Sequence, residues 1–303
     1  MNLPIKFSDE ILNAKDRGLP IVALESTIIT HGMPYPQNLT TAIEVEEIVR
    51  RNKAVPATIA IINGESEIGM SKQQLTQLAR ATDARKLSRA DLPLCLSSKK
   101  TGSTTVAATM ICAKLADINV FATGGIGGVH KNVSETMDIS ADLNELSKTN
   151  VSVVAAGPKA ILDIPKTLEV LETLGIPVIS YQNEQIPAFW SRESGYKASI
   201  QINQLHEVAA FIKYRDLIGL NGGCLITNPV PKKDEISRKI MDPIIKMAIS
   251  YGEQNKISGK ALTPFLLTKI FELSKPVKSE YTEVADYKDN DINGKLMFLF
   301  LIF

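Results

Sequence analysis

The sequence is short of the features that most quickly assign a protein. Only three cysteines occur in 303 residues, Cys95, Cys112 and Cys224. Odd in number and widely spaced, they form neither a CxxC motif nor the disulfide framework of a small secreted domain. A reducing compartment is expected, and with it a cytoplasmic address. An excess of one charge is also lacking: 34 Lys and Arg face 33 Asp and Glu, a formal net charge of +1. That balance builds no basic field for a nucleic-acid duplex. Long apolar runs are missing too. The N-terminus MNLPIKFSDEIL has no signal-peptide core, and the apolar stretch at 296–303 is eight residues long, where about 20 are needed to cross a bilayer. Neither a nucleic-acid nor a membrane partner is expected.

What is present is an ordinary globular composition, 44% hydrophobic, in a chain long enough to bury a full core without staples. Short runs rich in Val, Ile and Ala at 21–24, 57–62, 120–122, 151–155 and 178–181 read as buried strands. Amphipathic stretches at 39–51, 72–80, 104–116, 141–148 and 161–174 read as helices between them. Ser71 and Ser140 are placed as N-caps, and Gly175 with Pro177 stops the last of these helices near Leu174. Strand–helix alternation predicts an α/β fold with a mostly parallel sheet and helices on both faces. No repeat or low-complexity linker divides the chain, so residues 1–274 form one expected domain. Residues 275–303, charged and then intensely apolar, form an atypical C-terminal tail.

In a parallel sheet, ligands gather beyond the C-terminal strand ends, so polar residues there come first. Glu25 follows the first strand and fits either a helix cap or an acid. The next strand runs into Gly124-Gly125-Ile126-Gly127-Gly128-Val129-His130. That loop is neither GxGxxG nor a Walker A loop; it fits a tight packing turn or a backbone cradle for an anion. Asp138 and Asp142 stand four apart at a helix start, where they suit either the helix dipole or a hard cation such as Mg²⁺ or Mn²⁺. Lys159 follows the strand at 151–155 through Ala156-Gly157-Pro158. An amine in such small, apolar company can be desolvated and become a Schiff-base nucleophile. His31 and His130 fall in polar loops, whereas His206 falls in a helix and reads as structural.

Taken together, VALESTIITHGMPYPQN, VPATIAIINGE, KLSRADLP, TGSTTVAATM, VFATGGIGGVHK, DISADLNEL, AGPKAILDIPKTLEVLETLG, NGGCLITNPVP and GKALTPFLL closely resemble the pseudouridine-5′-phosphate glycosidases, also called pseudouridylate synthases. This family includes the indigoidine synthase A-like proteins. The likeness runs in unbroken order over about residues 8–274. It implies a three-layer α/β/α fold, a homotrimer, one divalent ion per subunit, commonly Mn²⁺, and reversible conversion of pseudouridine 5′-phosphate and water into uracil and ribose 5-phosphate.

By position, the resemblance makes Glu25 the proton donor, Lys159 the nucleophile and Asp138 the metal ligand. Lys86, Val106, Ser140, Ala141 and Asp142 become substrate contacts, with His130 a further site residue. The implied chemistry is ring opening helped by Glu25, attack of Lys159 on the anomeric carbon, an imine-type adduct while the C–C bond cleaves or forms, and release by water. Three departures stand out. Pro158 and Pro165 flank the lysine segment where the family has small residues. The family's C-terminal helix with its asparagine pair is replaced by KPVKSEYTEVADYKDNDINGKLMFLFLIF, so nothing is carried over to Asn290 or Asn293. The changed ending keeps open a catalytically impaired homologue that binds sugar phosphate or assembles with active subunits. A Schiff-base aldolase on a pentose phosphate is the third reading.

Overall fold

The computed structural model describes residues 3–277. Eleven strands lie in it: β1 (Ile5–Phe7), β2 (Ile21–Leu24), β3 (Val55–Ile62), β4 (Glu65–Ile68), β5 (Arg85–Leu87), β6 (Gly102–Thr104), β7 (Val120–Ala122), β8 (Ser152–Ala155), β9 (Val178–Tyr181), β10 (Ile200–Ile202) and β11 (Cys224–Thr227). The main path runs β3-β2-β7-β8-β11-β9-β10, and every neighbouring pair along it is parallel. β3 also belongs to a second, mixed patch. Its first half pairs with β2, while its second half pairs antiparallel with β4 and β6, which in turn hold β1 and β5.

Alternation along the strands gives the layers. Ala23, Phe121, Val153, Ala155 and Leu225 share a core with Met110, Cys112 and Ala113 of the helix Val106–Leu115, with Leu143 and Leu146 of Ala141–Lys148, and with Leu171 of Ile164–Thr173. Their neighbours Leu24 and Ala122 face the other way, against Val45 and Val49 of Gln37–Arg51. Val154, Cys224 and Ile226 pack with Val208 of the helix Leu205–Leu217. The result is the three-layer α/β/α arrangement expected. A satellite core lies over one edge: helices Arg238–Gln254 and Leu262–Val277 pack Met241, Ile244, Ile245 and Leu266 against Ile161, Leu162, Phe189 and Trp190.

All five expected strands and all five expected helices are present, with shifted ends. β3 begins before Pro56, and residues 104–105 belong to β6 and a cap. Thr105 accepts from the Ala108 N–H at the start of Val106–Leu115. Ser71 and Ser140 cap as expected. The helix drawn from 161 starts at Ile164 instead, because Asp163 is its N-cap, accepting from the Lys166 N–H. Pro165 therefore falls in the first turn, where a missing N–H costs nothing. The cysteines are buried and unpaired. Among the described residues no helix is long and apolar enough to cross a membrane. Helix Leu262–Val277 carries the chain just past residue 274; the remainder of the atypical tail, with Asn290 and Asn293, lies outside the described residues.

Candidate active site

The chain leaves β2 for β3 on one side, whereas β7 leads to β8 on the other. The strand order thus reverses between β2 and β7, and a crevice opens beyond their carboxyl ends at such a point. Glu25 follows β2, Thr123 and Gly124 follow β7, and Lys159 follows β8 after a short turn. They open on a cavity of about 370 Å³, lined also by Gly259, Lys260, Thr263 and Leu267. Every residue singled out by sequence lines it: Glu25, Lys86, Val106, His130, Asp138, Ser140, Ala141, Asp142 and Lys159. His31 lines it too, while His206 is exposed on its helix, outside the cavity.

Glu25 does not cap a helix. Ser26 holds the cap position of the short helix Thr27–His31, and the Glu25 carboxylate turns to Thr123, whose hydroxyl donates to Oε1 at 2.5 Å. Burial pushes this carboxyl above the usual range. The Lys159 ammonium and the Thr123 hydroxyl pull it down, Asp142 pushes it up, and Lys86 pulls it down. Lys159 is half-buried. Its backbone N–H donates to Ile126 O at 3.1 Å, so Pro158 leaves it tied to the glycine loop, and Gly157 takes the strain with φ +89°. Among the described residues no hydrogen bond or ion pair holds its Nζ. Lys86, on β5, is held below its ordinary value by burial and by Lys159, against Glu25 and Asp142. Two mutually repelling ammonium groups in one crevice make an anion a favourable occupant.

The glycine loop is a packing turn rather than a free cradle. The N–H groups of Ile126, Gly127, Val129 and His130 donate to Gly157 O, Asp142 Oδ2, Thr167 Oγ1 and Asp138 O. Asp142 is only 6% exposed, and its second oxygen accepts from the Ala107 N–H at 3.0 Å. One carboxylate thereby joins the loop to the starts of two helices. A Cβ at Gly127 would lie 2.2 Å from Ser140 Oγ, so this junction needs glycine. Val106 and Ala141 each stand at the first position of a helix, where the N–H has no partner inside the helix.

His31 Nδ1 meets two hydroxyls, Thr30 Oγ1 at 2.6 Å and Ser103 Oγ at 3.4 Å. The Arg85 carbonyl can only accept, so the Ser103 hydroxyl donates to it at 3.5 Å, and Thr30 donates to Ser103 at 2.7 Å. With those directions, Nδ1–H is the donor in the contact between His31 and Thr30 Oγ1. In that tautomer Nε2 is an acceptor. Burial and Lys86 keep the ring below its usual pKa, hence neutral. His130 is lowered by burial, with Asp138 opposing and Lys159 and Lys86 assisting.

For a metal, the donor set is sparse. Among the described residues no group of three or more His, Cys, Asp or Glu comes together, and Asp142 has both oxygens engaged by backbone N–H groups. Asp138 is half-buried at the cavity wall with no cation partner among the described residues. That set fits a hard ion that keeps most of its waters and takes one carboxylate, the habit of Mg²⁺ and Mn²⁺, and does not fit an all-protein cage.

Sequence reasoning missed Thr123, Phe189 and Lys260. Thr123 carried a signal, being the first polar residue past its strand. Lys260 comes from far along the chain; it lines the cavity, and its Nζ meets Asp91 Oδ1 at 2.5 Å.

The family described as indigoidine synthase A like protein matches residues 10–285. A pseudouridine-5′-phosphate glycosidase from Jannaschia sp. (strain CCS1) is 56% identical over 274 residues, 90% of this chain and 91% of the relative. Another, from Geobacillus kaustophilus, is 51% identical and covers 96% of each chain. An indigoidine synthase A-like protein from Thermotoga maritima superposes with a TM-score of 0.83 at 29% identity, covering 99% of this chain and 94% of its own. The prealnumycin C-glycosynthase AlnA, solved with ribulose 5-phosphate, gives 0.83 at 32% identity, covering 99% and 98%. The chain belongs to the indigoidine synthase A-like family, the family of the pseudouridine-5′-phosphate glycosidases.

Proposed function

We propose that the protein is a pseudouridine-5′-phosphate glycosidase, converting pseudouridine 5′-phosphate and water reversibly into uracil and ribose 5-phosphate. The observation that carries this reading is the pairing of Glu25 with Lys159. A buried acid whose pKa burial raises faces an amine that, among the described residues, no hydrogen bond or ion pair holds, within one crevice. The relatives named above act on this substrate by their names, and a structural neighbour holds a pentose phosphate.

A C–C glycosidic bond gives a poor leaving group, so two carboxylates around an oxocarbenium ion serve it badly. A lysine offers another route. Lys159 first gives up its ammonium proton to water, and its neutral Nζ attacks C1′; the C1′–O4′ bond breaks, its pair goes to O4′, and Glu25 delivers the proton there. The adduct nitrogen, an ammonium after the attack, passes a proton to uracil C5; the C1′–C5 bond then breaks to restore the C5=C6 double bond, and the freed nitrogen lone pair forms C=N at C1′. Water adds to that carbon and releases ribose 5-phosphate and the amine. Lys86 and the first-turn N–H groups at Val106 and Ala141 suit the phosphate. Ser140 and Asp142 hold the glycine loop and the helix start beside it.

Mn²⁺ held through Asp138 would supply positive charge and ordered water beside the substrate. One ion per subunit, a homotrimer and a cytoplasmic address belong to the same proposal, supported by the family resemblance; exposed Leu217, Ile218 and Leu220 offer an apolar face for a second copy.

The test is release of uracil from pseudouridine 5′-phosphate, with and without Mn²⁺. The chain should turn over, and Lys159→Ala should not, with circular dichroism unchanged. Borohydride with ribose 5-phosphate should add one pentose phosphate at Lys159. Full turnover without such an adduct overturns the lysine route, and no turnover at all favours the impaired homologue.

A further inference from the structure

The hairpin carrying Phe189 strains its backbone to hold an aromatic ring at the cavity wall. Ala188 and Ser191 form an isolated antiparallel bridge, each N–H donating to the other's carbonyl at 2.9 and 3.2 Å. Phe189 and Trp190 are therefore the two central residues of a tight turn. Phe189 has φ +60°, a left-handed position that such hairpins fill with Gly, Asn or Asp. A bulky residue there is an outlier, and outliers of this kind persist where surrounding structure holds them, often at ligand sites.

The surroundings do hold it. The Phe189 N–H donates to Ala156 O at 3.0 Å, just before the turn that presents Lys159. The Trp190 ring meets it edge-on, with centroids 4.9 Å apart at 76°. On the third side Gly125 makes room, since a Cβ there would lie 2.6 Å from ring atom Cδ2. Phe189 is 7% exposed, and it lines the same cavity as Lys159, with Leu162 and Leu267 on that wall. Lys86, His31 and the helix start at Val106 supply the polar lining suited to phosphate.

Resting on the reading above, we infer that Phe189 is the stacking platform for the nucleobase, and so sets specificity for the uracil half of the substrate. A planar heterocycle has two faces without hydrogen-bonding capacity, and an aromatic ring fixed on three sides covers one of them at little entropic cost. The rival account makes Phe189 a filler of the satellite core beside Ile161 and Trp190.

The synthetic direction separates the two substrates. With uracil and ribose 5-phosphate varied in turn, Phe189→Leu should raise the KM for uracil at least about fivefold, the low end of base–aromatic stacking. The KM for ribose 5-phosphate, and borohydride trapping of that sugar at Lys159, should stay as they are. An unchanged uracil KM, or equal rises in both, assigns Phe189 to packing and overturns the inference. The single tryptophan gives a readout without substitution, because Trp190 touches the Phe189 ring. Uracil added to the chain loaded with ribose 5-phosphate should change its emission saturably, and no response counts against the platform. Failure of the unsubstituted chain to trap ribose 5-phosphate strikes the lysine route instead, leaving the uracil readouts to decide on Phe189.

Discussion

The Thr123 hydroxyl donates to Glu25 Oε1 at 2.5 Å, tying the end of β7 to the end of β2 where the strand order reverses. This bond favours the ionised carboxylate, so it works against the burial that raises the Glu25 pKa. Thr123→Val removes a lowering influence, and the pKa should climb further. If Glu25 acts as a protonated acid, activity falls as pH rises through that pKa. The alkaline limb of kcat/KM for uracil release should therefore move to higher pH in Thr123→Val. A limb that stays in place or moves down contradicts the acid role.

Glu25 should also cost stability. Its folded pKa lies above the ordinary 4.5, so the folded chain binds this proton more tightly than the unfolded chain does. The linked stability is fully present below pH 4.5 and is lost as pH rises through the raised folded value. Glu25→Gln removes the buried charge and keeps an oxygen for Thr123. It should abolish turnover and raise Tm at pH 8, by about 2 °C for each kcal/mol released, with little difference at pH 4. A lower Tm at pH 8 would mean that attraction to Lys159 outweighs burial.

Asp142 tests the scaffold. Its two oxygens accept from the Ala107 and Gly127 N–H groups. Asn has a single acceptor oxygen, so Asp142→Asn leaves one backbone N–H facing an amide N–H. The expected loss is about 1–3 kcal/mol, read by calorimetry, together with a fall in kcat as the glycine loop and the Ser140 cap shift. An unchanged Tm would show that the junction is held by other contacts.

Much of this site was legible in the sequence because a parallel sheet concentrates its chemistry at strand ends. Once 21–24, 120–122 and 151–155 read as strands, Glu25 and Lys159 stood just past two of them. The mixed patch was not legible: β1, β5 and β6 are three residues each, too short to show alternation. β3 was entered late because Pro56, lacking an N–H, argues against a strand. Phe189 was hidden for another reason. Its position depends on Ala156 and Gly125, brought to it only by folding, and nothing in the text PAFW marks a left-handed phenylalanine.

His31 carries the last prediction, which follows from counting protons. With Thr30 donating to Ser103 and Ser103 to the Arg85 carbonyl, a group with no proton to give, Nδ1–H is the donor to Thr30; Ser103 Oγ also stands 3.4 Å from Nδ1, where the opposite tautomer would accept from it. A ¹⁵N–¹H correlation spectrum at pH 7 should show His31 Nδ1 protonated and Nε2 bare. Thr30→Val removes the acceptor and lets the other tautomer compete. If bare Nε2 accepts from a substrate hydroxyl or ring N–H, kcat/KM should then drop about fivefold, the scale of one neutral hydrogen bond. A protonated Nε2 in the unsubstituted chain would make Thr30 the donor to Nδ1, and would end the role of His31 as an acceptor.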